Sequence, residues 1–185
     1  MSRVAGRDHA VAFFPDANFI VNEVTSFIAD GLVLGEHVIV LATHAHWNLI
    51  AARLESDGVN YGRASHEQRL VFIEADQILD DMMVDGKVRI DRLQSTLEPL
   101  LTPGVQTRIY GELVSLLAER GDIDAAVAVE RLDCDLSRTH NVLVLCGYRT
   151  DPRHPLSAAD VSRISEAHDR VYVNNTTSAA VQPQR

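Results

Sequence analysis

Short apolar runs recur along the chain and alternate with longer segments whose apolar residues fall at helical spacing. Strands that are buried on both faces are apolar without alternation, and strands that alternate with helices pair in parallel through crossover connections. The pattern therefore predicts the α/β class, in which a three-layer fold places helices on both faces of a parallel sheet. The predicted strands are 10–14, 38–42, 70–73, 105–110 and 142–146, with 171–173 as a short last strand.

We expect one domain, because 185 residues suit a single domain and neither an internal repeat nor a linker is visible. Residues 1–8 are assigned to an N-terminal extension, 9–173 to the domain and 174–185 to a flexible tail with few large apolar groups. The polar stretch 59–68 is predicted to be a loop. The predicted helices are 17–34, 45–57, 76–84, 91–101, 111–120, 123–137 and 157–170.

The charge balance is acidic, with 17 Lys and Arg against 26 Asp and Glu and a net charge of -9. Nucleic-acid-binding proteins usually present a basic face, and anionic membrane surfaces attract basic segments. No apolar run approaches the roughly 20 residues of a membrane span. The N-terminal residues do not have the apolar stretch of a signal peptide. The two cysteines are too few for a disulfide framework. We therefore expect a cytoplasmic protein without direct contact to nucleic acid or membrane.

Lys87 is the only lysine of the chain, which limits the phosphate chemistry available to it. A P-loop needs the pattern GxxxxGK[ST], whose lysine reaches the terminal phosphates. The first strand is followed by FFPDANFIVNEV, without glycine or lysine, and Lys87 lies in DGKVR, without a following Ser or Thr. A dinucleotide GxGxxG is also absent from the sequence. We therefore expect neither ATP nor Mg²⁺ as a cofactor.

The sequence contains only weak signals for a metal site or for a catalytic nucleophile. His44 and His46 lie close together in THAHW, but the other histidines are scattered and neither HExxH nor CxxC occurs. Cys146 ends an apolar strand, where a cysteine usually acts as a small core residue, and no GxSxG elbow is present. We therefore expect no zinc at His44 and His46, no catalytic residue and no enzymatic activity.

Candidate ligand-binding residues follow the predicted strands, because ligands of open parallel sheets bind outside the strand carboxyl ends. Glu112, in RIYGELVSLL, either faces the cleft or is an acid that stabilises the first turn of a helix. Tyr110 and Tyr148 either line a pocket or pack in the core. The candidate set is Phe14, Tyr110, Glu112, Cys146 and Tyr148.

Several segments together resemble the MEDS family of sensory domains, over about residues 9–173. They are HAVAFFPD, FIADGLVLGEHVIVLATHAHWNLIAARLESDGV, LDDMMVDGKVRIDRL, RIYGELVSLLAERGDIDAAVAVERL, LVLCGY and ISEAHDRV. The resemblance implies a KaiC/RecA-like fold without a working P-loop. It also implies a sensory input domain that detects small hydrocarbon derivatives and is often found beside histidine-kinase or DNA-binding output domains.

The positions that match the family's motifs are His9, Phe14, Gly111, Glu112, Glu130, Cys146, Tyr148 and His168. The chain departs from the family pattern where Phe14 replaces a tyrosine and where Asp133 replaces a tryptophan. Because of the second departure, the pocket or interface that is usual in the family is in doubt around the predicted helix 123–137. From the residues alone, Glu130 is expected on a solvated helix face or in an ion pair.

The sequence therefore predicts a non-enzymatic sensory domain that binds a small ligand at the strand carboxyl ends, with an apolar ligand as one option. No output domain is recognisable, so we expect regulation of a separate partner, such as a histidine kinase or a transcription regulator. One alternative is a ligand-free protein-interaction scaffold, for which a homo-oligomer is an option. Another is a degenerate hydrolase that depends on a nucleotide or on a metal at His44 and His46.

Overall fold

The computed structural model describes residues 8–150 and 156–173. The predicted loop 151–155 and tail 174–185 lie outside the described residues, as do residues 1–7 of the predicted extension. The strands are β1 (Asp8–Phe14), β2 (His37–Ala42), β3 (Leu70–Glu74), β4 (Met83–Val84), β5 (Lys87–Val88), β6 (Thr107–Gly111), β7 (Val142–Arg149) and β8 (Arg170–Val173). The helices are α1 (Ala17–Val33), α2 (His44–Ser56), α3 (Tyr61–His66), α4 (Ala75–Met82), α5 (Ile90–Leu97), a 3₁₀ turn (Glu98–Leu100), α6 (Leu113–Glu119), α7 (Ile123–Thr139) and α8 (Ala158–Glu166).

The central sheet contains six strands, in the order β3-β2-β6-β7-β1-β8, within the part of the chain that the structure describes. Every neighbouring pair in this sheet is parallel. Helices cover both faces, so the predicted three-layer α/β fold is confirmed. β1 is buried along its whole length because helices pack on both of its sides.

Each face of the sheet has its own apolar core. On one side, which we call the α1 face, Ala12 and Phe14 of β1 pack with residues of α1 and α2. On the other side, the α7 face, Val11 and Phe13 pack with α4 to α8. Successive strand residues point to opposite faces, so the position of a residue along its strand decides which layer it meets.

Helix α7 begins at a side-chain cap and packs its length against the α7 face. Asp122 Oδ1 accepts a 3.0 Å hydrogen bond from the backbone N–H of Ala125 and so satisfies one free donor of the first turn. The buried side of α7 includes Glu130 and Asp133, which are three residues apart and lie on the same side of the helix. None of the described helices combines the length and the hydropathy needed to cross a membrane.

Several predicted bounds differ from the structure by a few residues, and in two segments the predicted type of element is wrong. The predicted loop 59–68 contains helix α3, which begins where Asn60 Oδ1 accepts a 3.0 Å hydrogen bond from Arg63 N. The predicted helix 76–84 ends two residues early, because Met83–Val84 pairs antiparallel with Lys87–Val88. Asp85 and Gly86 between them both have positive φ, as the type I′ turn of a tight hairpin requires. Neither change affects the order of the main strands.

Candidate functional site

The residues singled out from the sequence fall into two groups on opposite faces of the sheet. The first, called the Glu112 group, lies at the carboxyl ends of β1, β2 and β6 and consists of Phe14, Tyr110 and Glu112 with Thr43 and His46. The second, called the Glu130 cluster, lies between the sheet and α7 and consists of His9, Glu130, Cys146, Tyr148 and His168 with Asp133. The structure therefore does not bring Cys146 and Tyr148 into one cleft with Tyr110 and Glu112.

The centre of the Glu130 cluster is a carboxylate that is closed to solvent. Oε1 of Glu130 accepts a 2.8 Å hydrogen bond from the hydroxyl of Tyr148. Oε2 lies 3.0 Å from His9 Nε2 and 2.9 Å from His168 Nε2. The side chains of Glu130 and His168 are fully buried, and that of His9 is 1% exposed. The expectation of a solvated Glu130 is therefore wrong, while an ion-paired environment fits what is seen.

Strand register explains how His9 and the two β7 residues meet. β1 and β7 are parallel neighbours, and Cys146 is paired with Val11, which packs on the α7 face. Tyr148 lies two residues further along β7, and His9 lies two residues before Val11, so all three side chains share that face. The helix α7 passes over them and contributes Glu130.

The segment after α8 carries His168 and is fastened to β1 by backbone hydrogen bonds. Asp169 N donates to the carbonyl oxygen of His9 at 2.8 Å, and His9 N donates to Asp169 Oδ2 at 3.2 Å. The two imidazole rings consequently lie with their centroids 4.1 Å apart. Nδ1 of His168 lies 2.6 Å from the carbonyl oxygen of Ile164. Since a carbonyl oxygen only accepts, Nδ1 carries the proton of this contact.

Cys146 and Asp133 extend the cluster into the core. Cys146 Sγ lies 3.5 Å from His9 Nε2 and donates to Asp133 Oδ2 at 3.5 Å. Burial raises the pKa of Asp133 to about 7, and the charge of Glu130 acts in the same direction. Burial also favours neutral Glu130, but its contacts with His168 and His9 outweigh burial and lower the Glu130 pKa to about 2. The pKa values of two carboxyl groups on one helix are thus shifted in opposite directions, upward for Asp133 and downward for Glu130.

The site residues predicted from the sequence do not include Asp133, which stands where the family pattern has a tryptophan. Its spacing of three from Glu130 was the available signal, since residues at i and i+3 share one side of a helix.

The Glu112 group links β6 to the first turn of α2. Glu112 Oε1 accepts a 2.8 Å hydrogen bond from Tyr110 and lies 2.8 Å from His46 Nδ1, and Oε2 accepts from Thr43 N at 3.2 Å. The ring of Phe14 meets His46 edge-on, with centroids 6.3 Å apart. The hydrogen bond with Glu112 raises the pKa of His46 against the opposing effect of burial. Tyr110 and Glu112 are 0% and 2% exposed. Their polar groups therefore have protein partners in place of water: each other, His46 and the backbone N–H of Thr43.

The histidine pair weighed as a metal site is divided between two carboxylates. His44 Nε2 lies 2.8 Å from Glu74 Oε2, and its side chain is 72% exposed. His46 instead faces Glu112. In their present positions the two rings contact different acids, so they do not form one ligand set.

A small cavity and an open groove lie on the two sides of the Glu130 cluster. The cavity, of about 20 Å³, has room for slightly more than one water-sized group. It borders Gly111, where an added Cβ would meet no atom within 4 Å. The cavity is lined by Leu41, Leu93, Leu97, Ile109, Gly111, Leu113, Val114, Val129, Asp133 and Cys146.

The groove, of about 380 Å³, runs between α7 and α8 and reaches Glu130 at its base. Its walls include exposed arginines of both helices and the half-buried Cys134. The lining residues are Val127, Glu130, Arg131, Cys134, Arg138, Arg163, Glu166 and Ala167. Helix α7 thus borders the buried cavity on one side and the surface groove on the other.

Comparison with models of protein families identifies a match that covers most of the chain. A family model described as MEDS, the methanogen/methylotroph, DcmR sensory domain, matches residues 8–169. The matched range contains every member of the Glu112 group and of the Glu130 cluster. No curated protein matches the sequence.

Proposed function

Because the chain belongs to the MEDS family of sensory domains, we propose that it binds a small, mainly apolar molecule and reports the binding to a separate regulatory protein. The observation that carries this proposal is the cavity beside Gly111, an apolar chamber with Asp133 and Cys146 as its polar side chains. The cavity borders the last residue of β6. It therefore lies near the strand carboxyl ends, on the α7 face.

The lining of the cavity favours short hydrocarbon derivatives over larger or strongly polar ligands. Its walls are mainly leucine, isoleucine and valine side chains, which form no hydrogen bonds or ion pairs with a charged ligand. Burial favours the protonated form of Asp133 by raising its pKa to about 7, and this form offers both a donor and an acceptor to a single hydroxyl group. A volume of about 20 Å³ is only slightly more than that of one water-sized group, so the walls must move outward to admit methanol, and further to admit a halomethane.

Helix α7 provides the route from the cavity to the surface. Val129 and Asp133 on its inner side line the cavity, whereas Arg131 and Arg138 on its outer side line the groove. A ligand that prefers one position of α7 shifts the population toward that position and so changes the shape of the groove. A histidine kinase or a transcription regulator that contacts the groove would sense this change.

Amide NMR titration with methanol, ethanol and dichloromethane tests the proposal. We expect saturable shifts at Gly111, Val129, Asp133 and Cys146 for at least one compound, and no saturable shift with glycerol. Gly111→Val should fill the cavity and abolish the response, whereas Gly62→Val, at an exposed position of α3, should preserve it. A response that is absent for all compounds, or unchanged in Gly111→Val, would contradict ligand binding in this cavity and favour a ligand-free interaction scaffold.

A further inference from the structure

The geometry points to a zinc site in the Glu130 cluster, formed by His9 Nε2, Glu130 Oε2, Cys146 Sγ and His168 Nε2. Each of the four residues offers one ligand atom that lies within 4.8 Å of those of the other three. They come from β1, α7, β7 and the segment after α8, so a bound ion would join four elements of the fold. The inference goes beyond the sensory role and does not depend on the ligand cavity.

The separations match the edges of a tetrahedral zinc site. Zinc lies about 2.0–2.3 Å from nitrogen, oxygen and sulfur ligands, which places neighbouring ligand atoms about 3.3–3.7 Å apart. Here His9 Nε2 lies 3.5 Å from Cys146 Sγ and 3.0 Å from Glu130 Oε2, and His168 Nε2 lies 2.9 Å from the same oxygen. Side-chain movements of a few tenths of an ångström would open these distances to the edges of a tetrahedron.

The orientation of His168 provides an independent observation. Its Nδ1 proton is directed at the carbonyl oxygen of Ile164, so in the neutral ring Nε2 presents a lone pair. This nitrogen is buried, has no hydrogen-bond partner and faces Glu130 Oε2 at 2.9 Å. A lone pair and a carboxylate oxygen at this distance repel each other unless a cation lies between them or the ring gains a second proton. A backbone carbonyl on the far nitrogen is also the usual support of a metal-binding histidine.

The donor set selects the class of metal. Two imidazoles, one carboxylate and one thiol suit zinc, whereas Mg²⁺ and Ca²⁺ prefer oxygen ligands alone. A coordinating thiol loses its proton to solvent when the metal binds. Zn²⁺ then meets one thiolate and one carboxylate, so the buried complex of Cys146, Glu130 and the two neutral histidines has no net charge. A neutral complex avoids the cost of an uncompensated charge in the core.

The surroundings supply outer contacts and an approach route. Tyr148 donates to Glu130 Oε1 and leaves Oε2 for the metal. The groove between α7 and α8 has Glu130 among its lining residues, and because the Glu130 carboxylate is fully buried, a metal ion would enter from this groove only after a local outward movement of side chains. Motif-based reasoning expected no metal because these ligands follow neither of the spacings HExxH and CxxC, and only the fold brings them together.

Reconstitution of the metal-free chain of 185 residues tests the site. We expect one zinc per chain by elemental analysis after removal of loosely bound metal. With Co²⁺ we expect the intense visible bands of a four-coordinate ion and a sulfur-to-cobalt charge-transfer band. Cys146→Ser should remove the charge-transfer band, and His168→Gln should remove stoichiometric binding.

The matched controls are Cys134→Ser and His140→Gln, at the other cysteine and at an exposed histidine. Both controls should bind Co²⁺ like the original chain. Circular dichroism checks that each variant folds. If a variant does not fold, the zinc content and the Co²⁺ spectrum of the unmutated chain still test the site. Substoichiometric metal and no charge-transfer band in the folded original chain would overturn the inference. A charge-transfer band that survives Cys146→Ser and disappears in Cys134→Ser would do the same.

Discussion

Tyr148 on β7 donates a 2.8 Å hydrogen bond to Glu130 on α7, and this bond joins the sheet to its helical layer. Tyr148 and Glu130 are each 0% exposed. The second carboxylate oxygen of Glu130 faces His9 and His168, so three side chains from separate elements converge on one acid. The position of α7 over the sheet therefore depends on this acid and its partners.

Tyr148→Phe should lower the free energy of unfolding by about 1–3 kcal/mol, because it leaves Oε1 of the buried Glu130 without its donor. Tyr61→Phe is the matched control. The Tyr61 hydroxyl donates a long, 3.4 Å hydrogen bond to Glu55 at the surface, so its loss should change stability by less than about 0.5 kcal/mol. Urea unfolding measures both values. Equal effects for the two variants would show that the hydrogen bond between Tyr148 and Glu130 does not contribute to the free energy of unfolding.

Glu130→Gln should destabilise the fold by about 1–3 kcal/mol, because it replaces the carboxylate oxygen that faces His9 and His168 with an amide NH₂ group. The comparison is Glu166→Gln, at an exposed position of α8, which should cost less than about 0.5 kcal/mol. Chemical denaturation with a chelator present separates this effect from metal binding. A Glu130→Gln protein as stable as the Glu166→Gln protein would contradict the central place of this carboxylate.

The main fold was predictable because burial on both faces leaves a direct signature in the strand sequences. The uniformly apolar runs gave the strands of the main sheet and their parallel direction. Helix α3 was missed because its six residues, YGRASH, carry little apolar periodicity. The hairpin was missed although Asp85-Gly86 is a strong turn signal, because its strands are only two residues long.

The site was less predictable because side-chain direction depends on strand register. Tyr110 and Tyr148 look equivalent in the sequence, since each lies near the end of an apolar strand. Tyr110 is paired with Leu145, and Tyr148 lies three residues beyond Leu145, so the two rings point to opposite faces. Likewise, the burial of Glu130 arises from contacts with His9 and His168, which are remote in sequence.

Gly147→Ala should destabilise the protein by about 1–3 kcal/mol through overpacking. An added Cβ would lie 2.8 Å from the hydroxyl of Tyr110 and 3.3 Å from the ring of Phe14. Tyr110 would have to move away from Glu112. Gly62→Ala, within α3 and free of close contacts, should instead be neutral or stabilise by up to about 1 kcal/mol. Thermal unfolding measures the stability of both variants. If Gly147→Ala were as stable as the original chain, Tyr110 would be able to move aside without cost.

The contact between His46 and Glu112 should make stability depend on pH. The pKa of His46 is raised in the folded state by its hydrogen bond with Glu112. Its contribution is therefore fully present below the unfolded value of about 6.5 and is lost as the pH rises through the folded pKa. Urea unfolding across this window should show that the advantage of the original chain over His46→Gln shrinks with increasing pH. The same trend should be absent in Glu112→Gln, and an advantage that stays constant with pH would refute the linkage.

Amide hydrogen exchange tests the proposed sensory role most directly, because it distinguishes binding in the cavity on the α7 face from binding at the Glu112 group. It should be measured with and without a saturating amount of the alcohol or halomethane that binds most tightly. We predict altered exchange in α7 and α8, together with protection around Gly111 and Cys146. Changes confined to Glu112 and His46, or no change in α7, would contradict transmission from the cavity to the groove.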